Sequence, residues 1–197
     1  MKILVDNGHG ADTAGKRSPD GKLLEYAWTR EIAERIVAEL SCRGYDAELV
    51  TPEETDVPLG ERARRVNDEC GRVGAANVVL VSVHVNAAGN GQWMNARGWS
   101  AYTSKGNTRS DELATLLYAS AAEHLSGQKM RKEFSDGDAD WEENFYILRK
   151  TKCAAVLTEN LFMDNRQDVE YLLSESGKRA VVKTHVDALM KYADEYE

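Results

Sequence analysis

Three stretches of the chain are almost continuously apolar and rich in β-branched residues. They are residues 2–5, 77–86 (NVVLVSVHVN) and 154–158. Parallel strands that are covered on both faces have this composition, whereas half-exposed strands alternate apolar and polar positions. The pattern therefore predicts three buried strands of a largely parallel sheet.

Helical periodicity separates these strands along the chain. From about residue 25 to residue 43 apolar side chains recur at three- and four-residue spacing, and Gly44 is suited to end that helix. Pro58 is suited to the first turn of a second helix. Further helices are predicted over residues 111–125 and 174–192, and shorter strands over residues 47–50 and 99–103.

The alternation of strands and helices defines the expected fold class. It predicts α/β architecture in a single domain over residues 1–197, with a twisted, largely parallel sheet of about six strands flanked by helices. A mixed sheet is the alternative. The chain is 42% hydrophobic, which is enough to bury one substantial core. The segment Asp136-Gly137-Asp138 predicts a turn.

Composition narrows the function classes. The net charge of −8 and the absence of a Lys/Arg-rich tract argue against a nucleic-acid partner. Cys42, Cys70 and Cys153 are odd in number and widely spaced, so neither a disulfide framework nor a thiolate zinc site is indicated. No apolar stretch is long enough for a membrane span, and the amino terminus lacks a signal-peptide pattern. We expect cytoplasmic synthesis without a signal peptide.

Chemistry-bearing side chains follow the three apolar stretches. His9 follows the first and His84 ends the second, while Glu25 opens a helix. Two imidazoles and one carboxylate leave zinc an open position for water, and zinc lowers the pKa of that water. A separate carboxylate is needed to accept the proton, and Glu159, after the third stretch, is the candidate.

Each of these residues also has an ordinary structural interpretation. His84 is a candidate for a hydrogen-bonded structural histidine, and the segment around His9 for a turn or a phosphate-binding loop. Glu25 is suited to a helix first turn, and Glu159 to a solvated strand end. His185 lies on the apolar face of its helix and is expected in the core. His124 is expected at the surface near a helix carboxyl end.

Four blocks together resemble the zinc-dependent N-acetylmuramoyl-L-alanine amidases of the amidase-3 type, found in bacteria and their phages. The blocks are Asp6-Asn7-Gly8-His9-Gly10, Glu25 before its helix, Leu59-Gly60-Glu61-Arg62 followed by Ser82-Val83-His84-Val85-Asn86, and Phe145-Tyr146-Ile147-Leu148 followed by residues 155–165. The resemblance covers nearly the whole chain in order. Ala11 and Asn7 depart from the usual glycine and proline, and the loop at residues 89–97 matches nothing in the family pattern.

The resemblance implies an activity and a set of roles. The activity is hydrolysis of the amide between N-acetylmuramic acid and L-alanine in peptidoglycan. One Zn²⁺ is expected on His9, Glu25 and His84, with Glu159 as the catalytic residue. We expect Asp6, Asn86 and Asn160 to orient a ligand imidazole or to contact the substrate.

Other functions and the route to the substrate stay open at the level of sequence. A zinc peptidase would use the same metal and base with a different pocket, and a noncatalytic wall-binding module would keep only the fold. The presence of Glu159 in its block speaks against the module. The chain is expected to be a phage lysin or prophage remnant that acts on the wall after release, or a cytoplasmic protein. No obligate protein partner and no separate cell-wall-binding domain are expected.

Overall fold

A six-stranded sheet forms the centre of the computed structural model, which describes residues 1–135 and 137–196. The strands are β1 (Lys2–Asn7), β2 (Asp46–Leu49), β3 (Val78–Asn86), β4 (Ser100–Thr103), β5 (Trp141–Glu142) and β6 (Ala154–Phe162). The helices are α1 (Glu25–Cys42), α2 (Leu59–Val73), α3 (Arg109–His124), α4 (Tyr146–Lys150), α5 (Arg166–Leu173) and α6 (Glu175–Glu195), with a 3₁₀ turn at Ala75–Asn77.

The strand order is β2-β1-β3-β6-β4-β5. The first four of these are parallel neighbours, β4 runs antiparallel to β6, and β5 is parallel to β4. The predicted fold class is therefore confirmed, in its mixed-sheet form. The carboxyl ends of β1, β3 and β6 are adjacent, and this adjacency builds the site described below.

The apolar runs are continuous because both faces of the sheet are covered. Ile3 and Val5 belong to a cluster shared with α1, α3 and α6, whereas Leu4 belongs to a second cluster shared with α2 and α4. In β3, Val79 and Val81 likewise alternate in face with their neighbours. Burying one such side chain contributes about 1.5–3 kcal/mol, so the two layers together fix the strands in register.

Three features of the observed fold were not predicted. Helix α5 begins after Asn165, whose side-chain oxygen accepts from the backbone N–H of Gln167 at 3.1 Å and of Asp168 at 3.2 Å. Helix α4 and strand β5 are short and carry no periodic signal. Strand β6 extends to Phe162, beyond the predicted end, because β3 pairs with it as far as Asn86 opposite Phe162, across a register shift after His84.

Glu159 therefore lies inside a strand and not after one, with Ser100 as its β4 partner. The predicted turn at residues 136–138 includes Asp136, which lies outside the described residues. Within residues 1–135 and 137–196, no helix combines the length and the hydropathy needed to cross a bilayer. The absence of a separate wall-binding domain stays a prediction.

His185 is the buried core histidine expected from its helical position. It is 0% exposed, its Nδ1 donates to the Val181 carbonyl at 2.8 Å, and its Nε2 therefore accepts from the Thr158 hydroxyl at 2.9 Å. Burial lowers the pKa of His185 to about 4. His124, near the end of α3, contacts Asp187 with 2.7 Å between Nε2 and Oδ2.

The lowered pKa of His185 predicts acid sensitivity. The unfolded chain binds a proton at a His pKa of about 6.5, whereas folded His185 does so only near pKa 4, so stability is lost as the pH falls below about 6.5. Between pH 7 and pH 5 the free energy of unfolding of the wild type should fall by about 2 kcal/mol more than that of His185→Gln, because glutamine does not titrate. Urea denaturation at both pH values measures this, and equal losses in the two proteins would contradict it.

Candidate metal centre

Glu25 is the central side chain of the site at the carboxyl end of the sheet. It is the first residue of α1 and is 1% exposed. Its Oε1 accepts from the Val85 N–H at 3.0 Å and lies 3.3 Å from His84 Nδ1. Its Oε2 lies 3.4 Å from His9 Nε2 and has no hydrogen-bond partner. One oxygen of Glu25 is thus anchored and the other is free to bind a ligand.

The two histidines converge on Glu25 from separate elements. His9 follows β1 and His84 lies near the end of β3, and their rings pack edge to face with centroids 5.2 Å apart. One potential ligand atom from each of His9, Glu25 and His84 lies within 4.8 Å of the others. The three residues expected as ligands are therefore brought together.

Glycines on both sides of His9 make this approach possible. A Cβ at Gly8 would overlap Cε1 and Nδ1 of His84, and a Cβ at Gly10 would overlap the backbone of Asp56. His9 itself has φ of 62°, a left-handed conformation that costs energy for a residue with a side chain. Such strain persists only where surrounding contacts hold it in place.

Two arginines hold the strained loop. Arg62 is 2% exposed and donates to the carbonyl oxygens of Asn7 and His9, and Arg30 donates to the His9 carbonyl at 2.9 Å. Arg62 also pairs with Asp6 at 2.8 Å and Asp56 at 2.9 Å. These donors fix the His9 backbone, so the imidazole faces Glu25.

The sequence interpretation assigned no role to Arg62, although a signal was present. Arg62 lies four and eight residues before Val66 and Cys70 on the buried stripe of α2. A cation at such a position requires a buried anion as a partner, since an unpaired buried charge is costly. Asp6, at the end of the neighbouring strand, is that partner.

The remaining expected residues contact the site in different ways. The Asp6 oxygens accept from Arg62 and, at 2.6 Å, from the Ser82 hydroxyl, so Asp6 reaches His9 through Arg62. The Asn160 amide donates to the His84 carbonyl at 3.0 Å and accepts from Trp99 Nε1 at 3.0 Å. Asn86 lines the cavity, and its Oδ1 accepts from the Ala87 N–H at 2.8 Å.

Glu159 faces the same cavity as the three potential ligands. Its register partner on β3 is His84, so the two side chains emerge from the same face of the sheet. Glu159 Oε2 is buried without a hydrogen-bond partner. Burial raises the pKa of Glu159 to about 8, and the nearby Glu25 charge also raises it, while His84 and Lys16 oppose the shift.

The protonation states of His9 and Glu25 suit metal binding, whereas Glu25 favours the protonated form of His84. Burial lowers the pKa of His9 to about 4 and keeps the ring neutral. Burial favours neutral Glu25, but the hydrogen bond and charges of His84 and His9 outweigh it and lower the Glu25 pKa. Burial also disfavours protonated His84, yet Glu25 outweighs this and raises the His84 pKa.

This donor set fits the expected zinc ion. Neutral imidazole and ionised carboxylate are the forms that ligate zinc, and the free Glu25 Oε2 is a buried anion that a cation would satisfy. The cavity of about 410 Å³ around the centre leaves room for a substrate. Leu59, Phe145 and Tyr146 line it, and Leu59 and Tyr146 are 54% and 37% exposed.

The chain is similar in sequence to known proteins. The Amidase_3 family model, described as N-acetylmuramoyl-L-alanine amidase, matches residues 3–191, and the chain belongs to this family. The chain is 26% identical to the N-acetylmuramoyl-L-alanine amidase AmiC of Neisseria meningitidis serogroup B over 96% of its own length and 52% of the relative. It is 27% identical to an endolysin of Bacillus phage SPP1, over 95% of this chain and 64% of the endolysin. The chain thus spans about half to two thirds of the length of these relatives.

A solved structure extends the comparison to the fold. The catalytic domain of CwlV, an N-acetylmuramoyl-L-alanine amidase from Bacillus (Paenibacillus) polymyxa var. colistinus, superposes with a TM-score of 0.82. It is 24% identical, and the match covers 98% of this chain and 99% of that domain. The resemblance deduced from the sequence blocks is therefore confirmed for family and fold.

The close approach at Gly8 predicts a loss of metal affinity on substitution. Gly8→Ala should push the His84 ring aside and weaken zinc binding about 10- to 100-fold, the scale seen when the support of a ligand is lost. Gly71→Ala is the matched control, because Gly71 in α2 has open space around it. His84→Ala, which removes a donor, sets the lower limit. Competition with a chromogenic chelator measures affinity, and unchanged affinity in Gly8→Ala would refute the crowding argument.

Proposed function

We propose that the chain is a zinc-dependent N-acetylmuramoyl-L-alanine amidase that hydrolyses the amide between N-acetylmuramic acid and L-alanine of peptidoglycan. The observation that carries the proposal is one cavity in which His9, Glu25 and His84 converge and a second, unpaired carboxylate, Glu159, faces them. Family membership supports the choice of bond.

We assign metal binding to His9, Glu25 and His84. Bound zinc would act as a Lewis acid that polarises the substrate carbonyl and lowers the pKa of a water molecule. Arg62, Arg30 and Asn160 position the two histidines through their backbone carbonyls. Asp6 neutralises Arg62, so its contribution to the geometry of His9 is indirect.

We assign proton transfer to Glu159. Glu159 must be ionised to accept a proton from water, and its pKa, raised by burial, suits the same group to return that proton to the leaving amine. The unpaired Oε2 gives Glu159 an acceptor that no protein donor occupies. Leu59, Phe145 and Tyr146 supply an apolar rim that would contact the substrate and exclude water.

Replacing Glu159 tests its role. Glu159→Gln keeps the shape but cannot accept the proton, so turnover should fall about 10²-fold or more while zinc content and fold are retained. Glu143→Gln, at an exposed position, is the control for the same chemical change. Metal content by atomic emission accompanies the rates. Near wild-type turnover would exclude the catalytic role, and loss of zinc would make Glu159 a ligand.

Product analysis on purified peptidoglycan tests the bond that is cut. Digestion should release stem peptides with a new L-alanine amino terminus and leave glycan strands without new reducing ends. Removing zinc should abolish the reaction and restoring it should recover turnover. Amino-terminal labelling with dinitrofluorobenzene, followed by mass spectrometry, identifies the products. Labelled diaminopimelate or D-alanine would indicate a peptidase instead, and new reducing sugars a glycosidase.

A further inference from the structure

Three aspartates form a second carboxylate cluster, away from the candidate metal centre. Asp111 lies in the first turn of α3, and Asp138 and Asp140 lie in the loop that precedes β5. One carboxylate oxygen from each lies within 4.8 Å of the others. Asp111 is 7% exposed and Asp140 is 1% exposed, so the cluster is buried on two of its sides.

The most buried of these carboxylates has an oxygen without a partner. Asp140 Oδ2 accepts from the Thr103 hydroxyl at 2.6 Å, but Asp140 Oδ1 is buried and has no hydrogen-bond partner among residues 1–135 and 137–196. Asp138 Oδ1 is in the same condition. A buried anionic oxygen without a donor is costly, and like charges nearby add to that cost. Unpaired buried oxygens in a cluster of three carboxylates therefore indicate a cation.

The electrostatics of Asp140 agree with this geometry. Burial raises the pKa of Asp140 to about 7, the Thr103 hydrogen bond opposes the shift, and the neighbouring Asp138 and Asp111 reinforce it. A divalent ion would neutralise two of the three aspartate charges.

We propose that Asp111, Asp138 and Asp140 bind one divalent cation of the calcium class. Calcium takes several carboxylate oxygens in a flexible geometry, whereas magnesium usually keeps most of its water ligands and binds only one or two carboxylates, so a set of three aspartates favours calcium. A set made only of carboxylates also disfavours zinc, whose protein sites usually include imidazole or thiolate ligands.

The position of the cluster predicts a structural role. Strand β4 runs antiparallel to β6 with Ser100 opposite Glu159, so Thr103 and the cluster lie towards the other end of the sheet. The loop leads directly into β5, whose Trp141 pairs with Tyr102 of β4. A cation bound here would join the loop, the start of α3 and the edge of the sheet, and its effect would be on stability.

Calcium titration of three variants tests the proposal independently of the amidase assignment. The full chain, supplied with one equivalent of zinc to fill the other centre, is titrated with calcium alone by calorimetry, and its thermal midpoint is followed. Asp138→Asn and Asp140→Asn remove one ligand charge each, and Glu34→Gln, exposed on α1, is the charge-matched control.

The wild type and Glu34→Gln should bind one calcium ion per chain and gain thermal stability. At calcium 100-fold above Kd, the folded-to-unfolded ratio should rise about 100-fold. Asp138→Asn and Asp140→Asn should bind at least about 10-fold more weakly. In calcium-free buffer Asp140→Asn should be as stable as the wild type or more so, because a like charge is removed. If Asp140→Asn does not fold, Asp138→Asn, at the more exposed position, decides the matter.

Two results would overturn the proposal. One is the absence of any calcium-dependent heat or midpoint shift in the wild type at about 10 mM calcium, tenfold above the weakest natural sites. The other is equal calcium binding by the wild type and Asp138→Asn. Magnesium, titrated in parallel, should bind more weakly than calcium, and tighter magnesium binding would contradict the assignment of ion class.

Discussion

The buried carboxylate of Glu25 is the constraint on which the rest of the site depends. An ionised group that is 1% exposed requires compensating partners, and its partners are His9, His84 and the Val85 N–H. They come from β3 and from the loop after β1, so α1 must begin against the carboxyl ends of those strands. The position of one charge thus couples helix, sheet and loop.

Around this charge the protein carries local strain that its neighbours hold in place. The left-handed His9, the close approach at Gly8 and the buried Arg62 are adjacent, since Arg62 donates to the His9 carbonyl and Gly8 leaves room for the His84 ring. The strain lowers the stability of the folded state, but the contacts hold the donor atoms in a fixed geometry before a metal binds. Rigid donors lose little entropy on binding, which favours affinity.

The two ends of the sheet show contrasting solutions to buried negative charge. At the carboxyl end of β3 and β6, imidazoles and a carboxylate surround a cavity of about 410 Å³ that is open to substrate. Towards the other end, three aspartates lie between a loop and α3. Hydroxyl and backbone donors satisfy only some of their carboxylate oxygens. In both places an unpaired carboxylate oxygen marks where protein donors are insufficient.

The sequence by itself determined the fold class, most helices and strands, and the residue types of the candidate metal centre. Apolar periodicity is a local property, so α1, α2, α3 and α6 and the buried strands can be predicted from neighbouring residues alone. Only the tertiary structure decided that Glu159 lies within β6, that Arg62 pairs with Asp6, and that Asp111 meets Asp140. These contacts join residues far apart in sequence, and they depend on how whole elements pack. Local sequence patterns therefore do not predict these contacts.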